Sequence, residues 1–171
     1  SMNRKHKIKE YMEIYEKFKK INSDIEFSSD FIIGYPGEDE EDFNDTLNLI
    51  KKIKFINSFS FIFSPRPGTI AGNLKLINSD ISLKRLEKVQ RNLAAHQLKK
   101  NKSLENKIIK VLVENQTKDK LKLFGRSEYL TSVILDGNIK YVGQIVNAQI
   151  IRSNRNTLFG KIVENFDKKV A

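Results

Sequence analysis

Two short stretches combine glycine, proline and charged side chains at the ends of apolar runs, where ligands are often held. The first is Asp30-Phe31-Ile32-Ile33-Gly34-Tyr35-Pro36-Gly37-Glu38, in which an apolar run stops at a Gly-x-Pro-Gly turn. The second is Ser64-Pro65-Arg66-Pro67-Gly68-Thr69, which follows the apolar run 59–63. Because open α/β sheets bind ligands at the carboxyl ends of their strands, both turns are predicted to face a ligand.

The residues around the first turn restrict the kind of ligand. Gly34 and Gly37 permit a tight turn and a close approach of a ligand to the backbone. A helix N-terminus favours anions, but the acids at 38–42 would repel phosphate, and neither a P-loop nor a dinucleotide fingerprint is present. A neutral or cationic ligand fits better. The alternative is a plain turn whose acids only complement the helix dipole.

The second turn holds Arg66 between two prolines, which stiffen the loop. An arginine presented in this way can clamp a carboxylate or a phosphate. The alternative is that Arg66 pairs with the acidic residues near Glu38. The histidines, His6 and His96, have no partner at a useful spacing, so both are predicted to be surface residues.

The elements that must position these turns are helices and parallel strands. Apolar spacing predicts three helices. The first covers 8–21, the second begins at the acids 38–42, and the third covers 81–102 with Ser79 or Ser82 as its cap. Strands are predicted over 25–33 and 58–63, joined by a βαβ crossover. The continuously apolar end of the first strand predicts cover on both faces. Since two parallel strands make a poor core alone, residues 1–103 are interpreted as a piece of a larger α/β sheet or barrel.

From residue 104 the pattern changes to short β-rich runs. These are 108–113, 129–135, 141–151 and 158–163, and Asp136-Gly137-Asn138 is typical of a hairpin. Four or five short strands in such a length predict a small closed β-barrel over 104–171. The predicted fold class is therefore α/β followed by all-β.

Charge points to a polyanionic partner. The net charge is +10 and the sequence pI is near 9.7. Basic residues are concentrated between 75 and 110 and again in the β-rich part, where the predicted RNA contacts are Lys122, Arg126, Arg152 and Arg155. The first group comprises Lys84, Arg85, Lys88, Arg91, Lys99, Lys100, Lys102, Lys107 and Lys110. Phe124 and Tyr129 flank Arg126 and could stack on bases. The alternative is a solvated basic surface.

Composition excludes several classes of site. The chain has 171 residues and no cysteine, so it offers no disulfide and no thiolate ligand for zinc or an iron–sulfur cluster. No apolar run is long enough to span a membrane, and the basic N-terminal segment lacks the apolar core of a signal peptide. We therefore expect a cytoplasmic protein without a membrane partner.

Taken jointly, these motifs resemble the radical-SAM methylthiotransferases. The resemblance rests on 30–38, on Glu41-Asp42-Phe43, on 61–69, and on a basic opening, Met2-Asn3-Arg4-Lys5-His6. The Ser-Pro-Arg-Pro-Gly-Thr loop is similar to the MiaB-type branch, which acts on tRNA. The part from 104, with Gly125-Arg126-Ser127-Glu128 and the runs 143–146 and 158–160, resembles a TRAM domain, a small RNA-binding β-barrel.

The resemblance implies a fold, a reaction and a set of cofactors. It implies the end of a partial TIM-like radical-SAM barrel over 1–103 and a TRAM domain over 104–171. The family inserts sulfur and a methyl group at C2 of a prenylated adenosine beside the tRNA anticodon, using S-adenosylmethionine and two four-iron four-sulfur clusters. The cluster cysteines lie in parts that this chain lacks, so no catalytic residue and no metal ligand is assigned here and the fragment alone is expected to be inactive.

The resemblance also assigns the turns. Asp30, Gly34, Pro36, Gly37 and Arg66 would border the S-adenosylmethionine site. The partners implied are tRNA, S-adenosylmethionine and the missing N-terminal part of the same protein. The alternative is a stand-alone RNA-binding module without activity, and a weaker third hypothesis is a phosphate-using α/β enzyme.

Overall fold

The structure, a computed structural model, describes residue 2 and residues 4–163. The last residues of the predicted barrel, 164–171, lie outside the described residues. The helices are α1 (Ile8–Ile21), α2 (Glu40–Ile53) and α3 (Ser79–Ser103), with 3₁₀ turns at Ala71–Asn73 and Ile139–Tyr141. The strands are β1 (Asp30–Ile33), β2 (Phe59–Ile62), β3 (Ile108–Gln116), β4 (Leu123–Ser127), β5 (Ser132–Asp136), β6 (Ile145–Ser153) and β7 (Thr157–Ile162).

The N-terminal part is a two-stranded parallel sheet covered by helices on one face. Phe31 and Ile33 of β1 point into a core formed with α2 and α3, which includes Phe43, Ile50 and Val89. The opposite face carries Asp30, Ile32, Phe59 and Phe61, all exposed, with the Phe59 side chain 64% exposed. The prediction that the first strand is covered on both faces is therefore wrong for the described chain.

The first strand is also shorter than predicted. Residues 25–29 are not part of the sheet, because β2 is only four residues long and its register with β1 runs from Asp30–Phe59 to Ile33–Ile62. Single backbone hydrogen bonds hold the preceding segment, such as the one from the Ile56 N–H to the Phe27 carbonyl (2.9 Å). The strand therefore begins where a paired neighbour begins.

The C-terminal part is a closed barrel with strand order β3-β4-β5-β7-β6. The predicted small closed barrel is confirmed. Alternating residues of every strand point inward, and Leu104 from the end of α3 joins them in the barrel core. That core consists of Leu104, Ile109, Val111, Val113, Leu123, Val133, Leu135, Val146, Ala148, Ile150 and Leu158.

Two predictions about the barrel are wrong. Asp136-Gly137-Asn138 does not form a hairpin, because β5 pairs with β4 and β7 whereas β6 pairs with β3 and β7. Asn138 instead caps the following 3₁₀ turn, its side-chain oxygen accepting from the Lys140 N–H (3.0 Å). The β4 strand was not among the predicted runs. The central residue of β4 is Gly125. A side chain does not fit there, because a Cβ would be 2.4 Å from the Leu112 carbonyl oxygen of β3.

Helix α3 connects the two parts and also differs from prediction at its start. Its N-cap is Asn78, whose side chain accepts from the Asp80 N–H (2.8 Å), rather than Ser79 or Ser82. Ser82 is buried against the first turn. His96 is half-buried, with its Nδ1 inaccessible to solvent and without a hydrogen bond in the described chain. The prediction of a surface histidine therefore fails.

The environment of His96 gives the fold a pH-dependent term. Burial lowers the pKa of His96, and the nearby Lys54 and Lys99 lower it further. The unfolded chain therefore binds a proton at a higher pH than the folded chain. Stability should rise with pH below the ordinary histidine pKa of about 6.5 and level off above it.

We predict that the free energy of unfolding in urea falls more from pH 7.5 to pH 5.5 in the native chain than in His96→Gln. Glutamine carries no charge at either pH, and all other titrating groups are shared by the two proteins. Equal pH dependence of the two proteins would contradict this account.

Candidate functional site

The turn after β1 is a tight backbone structure held by Glu38. Gly34 has φ +74°, and its N–H donates to Glu38 Oε2 (3.0 Å). The Glu38 N–H donates in turn to the Tyr35 carbonyl (2.9 Å). A Cβ at Gly34 would lie 2.5 Å from the Ser82 hydroxyl oxygen. The glycine at position 34 is thus required by the packing of α3 as well as by its positive φ.

Arg85 of α3 binds this turn through its contacts with Glu38. Its Nη1 donates to Glu38 Oε1 (2.8 Å) and to the Glu38 carbonyl (3.0 Å), and its Nη2 donates to Glu40 Oε2 (3.1 Å). The guanidinium also lies over the Phe43 ring, 5.2 Å from its centroid. Arg85 is 7% exposed. The concentration of basic residues between 75 and 110, taken as a sign of a polyanionic partner, includes Arg85, but its burial in this ion pair removes it from the exposed charge.

Several acids after the turn have local structural partners. Asp39 caps α2 by accepting from the Asp42 N–H (2.9 Å), and the Asp42 carboxylate accepts from the Asp39 N–H (3.2 Å). Glu38 is occupied by Arg85 and the Gly34 N–H. These contacts favour the structural interpretation for Glu38, Asp39 and Asp42, which stabilise the turn and the helix start. Glu41 is exposed and has no ion pair among the residues that the structure describes.

The predicted cofactor-facing residues fall into separate places. Pro36 is buried beneath the turn, whereas Gly37, with φ +91°, is exposed and would have open space around an added Cβ. Gly37 therefore presents backbone to its surroundings. Asp30 is exposed on the open face of the sheet, at the start of β1. At about 3.3 Å per residue, it lies roughly 13 Å along the strand from Gly34.

The two turns lie side by side, as their position at one edge of the sheet predicts. The rings of Tyr35 and Phe63 meet edge to face with centroids 5.1 Å apart. In the second turn, the Arg66 carbonyl accepts from the Thr69 N–H (3.3 Å) and the Thr69 hydroxyl (2.8 Å). The Arg66 side chain is exposed and makes no ion pair within the described residues. The alternative pairing of Arg66 with Glu38 is not formed.

The outer face of the barrel carries a row of apolar side chains across three strands. Phe124 of β4 is opposite Ile134 of β5, and Ile134 is opposite Phe159 of β7. All three are half-buried and point away from the core, because their neighbours Leu123, Val133 and Leu158 point inward. We call Phe124, Ile134 and Phe159 the outer platform.

Three of the four predicted RNA-binding residues lie at this platform. Arg152 stacks on Phe159, with its guanidinium carbon 3.7 Å from the ring centroid, and Arg126 lies 5.7 Å from the centroid of Phe124. Lys122 immediately precedes β4 and continues the outward alternation of Phe124 and Arg126, two and four residues away. Its Nζ is 3.0 Å from Asp136 Oδ1, a pair with both side chains well exposed. Cations and aromatic rings are therefore brought together on one surface.

Arg126 is held in place by two contacts of its own. Its Nε lies 3.4 Å from Glu114 Oε1, and its Nη1 donates to the Leu130 carbonyl (3.2 Å). Arg155, the fourth predicted residue, lies in the turn between β6 and β7, where its Nε donates to Asn156 Oδ1 (3.1 Å). Arg155 is beside the platform rather than on it. It lines a groove to which Arg126 also contributes.

Sequence reasoning missed some members of this surface and misplaced one. Phe159 and Ile134 were not singled out, although each is two residues from a neighbour on the outward side of its strand. Tyr129 was expected to stack on bases. It is instead half-buried, with the Lys100 ammonium 4.0 Å from its ring centroid and its carbonyl accepting from Asn57 Nδ2. Tyr129 therefore joins the barrel to the α/β part.

Comparisons with known proteins agree with this geometry. Residues 102–163 match the model of a family described as the TRAM domain. Over 99% of its length the chain is 64% identical to a protein of Pelagibacter ubique named tRNA-2-methylthio-N(6)-dimethylallyladenosine synthase, of which it covers 38%. The chain is homologous to these synthases and contains a TRAM domain. The resemblance to MiaB-type methylthiotransferases is thereby confirmed.

Further synthases of the same name show how much of the protein is matched. The one from Ruthia magnifica is 42% identical over 95% of the chain, and the one from Wolbachia pipientis wMel is 39% identical over 94%. The chain spans a little over a third of these relatives, 37% of each. Within the described residues no helix is long and apolar enough to cross a membrane, and no three His, Cys, Asp or Glu side chains cluster as metal ligands would.

We predict that Arg85→Ala lowers the free energy of unfolding by roughly 3 kcal/mol, because it leaves the Glu38 carboxylate, whose side chain is only 11% exposed, without its cation. The measurement is urea unfolding at neutral pH. Arg91→Ala, an exposed arginine on the same helix, should change the free energy by less than about 0.5 kcal/mol. Equal losses in the two variants would mean that Arg85 does not hold the turn.

Proposed function

We propose that this chain is the C-terminal part of a tRNA methylthiotransferase that modifies C2 of a prenylated adenosine beside the anticodon. The observation that carries the proposal is the outer platform, where Arg126 and Arg152 lie against Phe124 and Phe159 on a barrel of the TRAM family. Aromatic faces stack on unpaired bases, and the adjacent guanidinium groups meet phosphates. A tRNA loop offers both.

The open face of the β1–β2 sheet supports the fragment hypothesis. Exposed Ile32, Phe59 and Phe61 form an apolar surface on parallel strands, which in complete α/β proteins are covered on both faces. Further strands of a radical-SAM barrel would cover this surface. The chain covers 38% of the Pelagibacter relative, which is consistent with missing strands. We retain the division into 1–103, the end of that barrel, and 104–171, the TRAM domain.

The proposed cofactor wall is the edge formed by the two turns. Gly37 offers exposed backbone, Gly34 shapes the turn, and Arg66, which has no ion pair in the described part of the chain, offers a cation for an anionic group such as a carboxylate. Pro36 acts from beneath the turn, and Asp30 lies further along the open face. S-adenosylmethionine, when bound, would supply the radical and the methyl group. These residues would bind and orient it.

The iron–sulfur clusters do not fit the residues of this chain. It contains no cysteine, so the cluster ligands of the whole enzyme must come from the N-terminal part that we propose as its partner. The proposed role of this chain is therefore to hold tRNA and to complete the S-adenosylmethionine site, and its proposed location is the cytoplasm, with its tRNA substrate.

We predict that the chain binds single-stranded RNA and an anticodon stem-loop with a steep dependence on salt. Arg126→Ala and Arg152→Ala should each weaken binding about fivefold and reduce the slope of log Kd against log salt by about one between about 50 and 200 mM. Fluorescence anisotropy measures both quantities. Phe159→Leu should weaken binding with little change in the slope, because it removes a stacking face but no charge.

The matched control for the platform variants is Lys110→Ala on β3. Strand β3 pairs with β4 and β6 and does not contribute to the platform. Lys110→Ala removes one positive charge from the same barrel and should change the Kd less than twofold. Binding that ignores salt, or a loss in Lys110→Ala equal to that in Arg126→Ala, would contradict the proposed interface.

We predict that the isolated chain neither takes up iron nor cleaves S-adenosylmethionine after anaerobic incubation with ferrous iron, sulfide and a strong reductant. Iron is measured by chelation after removal of unbound metal, and cleavage by chromatography of the products. Stoichiometric iron in the folded chain would contradict the assignment of the cluster ligands to another part of the enzyme.

A further inference from the structure

A groove of about 640 Å³ separates the barrel from the α/β part. One wall is formed by the start of β2 and by α3, with Phe59, Ser60, Gln90 and Ala94. The opposite wall is formed by the barrel and contributes Arg126 and Arg155. The volume lies within the range of about 300–1,000 Å³ that holds small ligands in proteins.

The two walls differ in chemistry. The barrel wall presents two guanidinium groups, and none of the residues lining the groove is acidic. The facing wall is apolar at Leu93 and Ala94 and polar at Gln90, whose exposed amide makes no hydrogen bond within the described residues. Such a groove suits a nucleotide, because the phosphate can meet the arginines while the base lies against the apolar wall.

A chain of side-chain amides fixes the separation of the walls. The Asn57 N–H donates to Gln97 Oε1 (2.6 Å), and Gln97 Nε2 donates to Asn101 Oδ1 (3.0 Å). Asn101 Nδ2 then donates to the carbonyls of Asn154 (2.8 Å) and Arg155 (2.9 Å) in the barrel. Asn101 is fully buried. The groove is therefore preformed, and a ligand entering it does not have to order the two parts first.

The groove is continuous with the outer platform but distant from the cofactor-facing turns. Arg126 belongs to both surfaces, since it lies over Phe124 and also lines the groove. Phe59 begins β2, whereas the two turns follow the ends of β1 and β2. An RNA strand that crosses the platform past Arg126 would enter the groove at the opposite end of the sheet from Gly37.

We propose that this groove is a second RNA subsite, which holds one nucleotide of a single-stranded segment with its phosphate at Arg126 and Arg155 and its base edge at Gln90. The proposal rests on the proposed function, because it extends the path of the RNA on the platform. It assigns Arg155 and Gln90 to substrate positioning, away from the reaction itself.

The test uses four variants of the same chain that each lower its net charge by one. Gln90→Glu and Arg155→Gln alter the groove. Ala95→Glu and Arg91→Gln alter exposed positions of α3 that do not line it. Because the change in net charge is the same, any difference between the pairs reflects position. The probe is a labelled single-stranded RNA of about eight nucleotides, with a blunt RNA duplex for comparison.

We expect each groove variant to raise the Kd for single-stranded RNA about five- to tenfold and each control less than twofold, at equal thermal stability. The duplex, whose bases are not splayed, should show no difference between the pairs. Photocrosslinking with 4-thiouridine should attach RNA to the native chain within residues 55–60 or 90–97, and Gln90→Glu should reduce that crosslink.

Other outcomes overturn one proposal or both. If the groove variants bind like the controls while Arg126→Ala and Arg152→Ala weaken binding, the groove is not an RNA subsite and the platform still is. If all four variants weaken binding equally, the groove is again not an RNA subsite, because the loss would then follow from the lower net charge and not from position. If neither the platform variants nor the groove variants change binding, both the subsite and the proposed RNA interface are wrong.

Discussion

A sheet of two parallel strands can be covered on one face by the helices that its own connections supply, and this constraint governs the N-terminal half. The connections provide α2 and α3, and Phe31 and Ile33 pack against them. Nothing in the described chain covers Ile32, Phe59 and Phe61 on the other face. The edge at which both turns lie is therefore well ordered on its helix side and open on its other side, as one wall of a larger site would be.

The barrel leaves no strand edge unpaired, because its closure pairs every strand on both sides. Its inward side chains complete a core, so its outward side chains are free to serve binding. The apolar row Phe124, Ile134 and Phe159 would be a liability on an ordinary surface. Arg126 and Arg152 lie against its two aromatic ends and place positive charge beside the apolar row.

Much of this arrangement was predictable from local pattern. The 3.6-residue period located α1, α2 and α3, and the short β-rich runs with polar breaks indicated a closed barrel. Pairing was not predictable in this way. The sequence Asp136-Gly137-Asn138 has the composition of a two-strand turn, yet β5 and β6 do not pair, because closing the barrel places β7 between them. Strand β4 was missed because Gly125 and Arg126 weaken the apolar alternation, and only the proximity of the Leu112 carbonyl explains the glycine.

Arg85 and Arg126 have different roles because one is buried and the other is exposed, and a count of charged residues in the sequence does not show this difference. Arg85 was grouped with the exposed cations of α3, although it shares a helical face with Ser82, Val89 and Leu93, at spacings of three, four and four residues. That spacing is the signal that could have placed it inside. Arg126 has the opposite surroundings, on an outward strand position beside an aromatic ring, and keeps its charge accessible. The same residue type therefore holds a turn in place in one half of the chain and keeps an exposed guanidinium on the barrel surface in the other. The difference follows from the face that each element presents to its core.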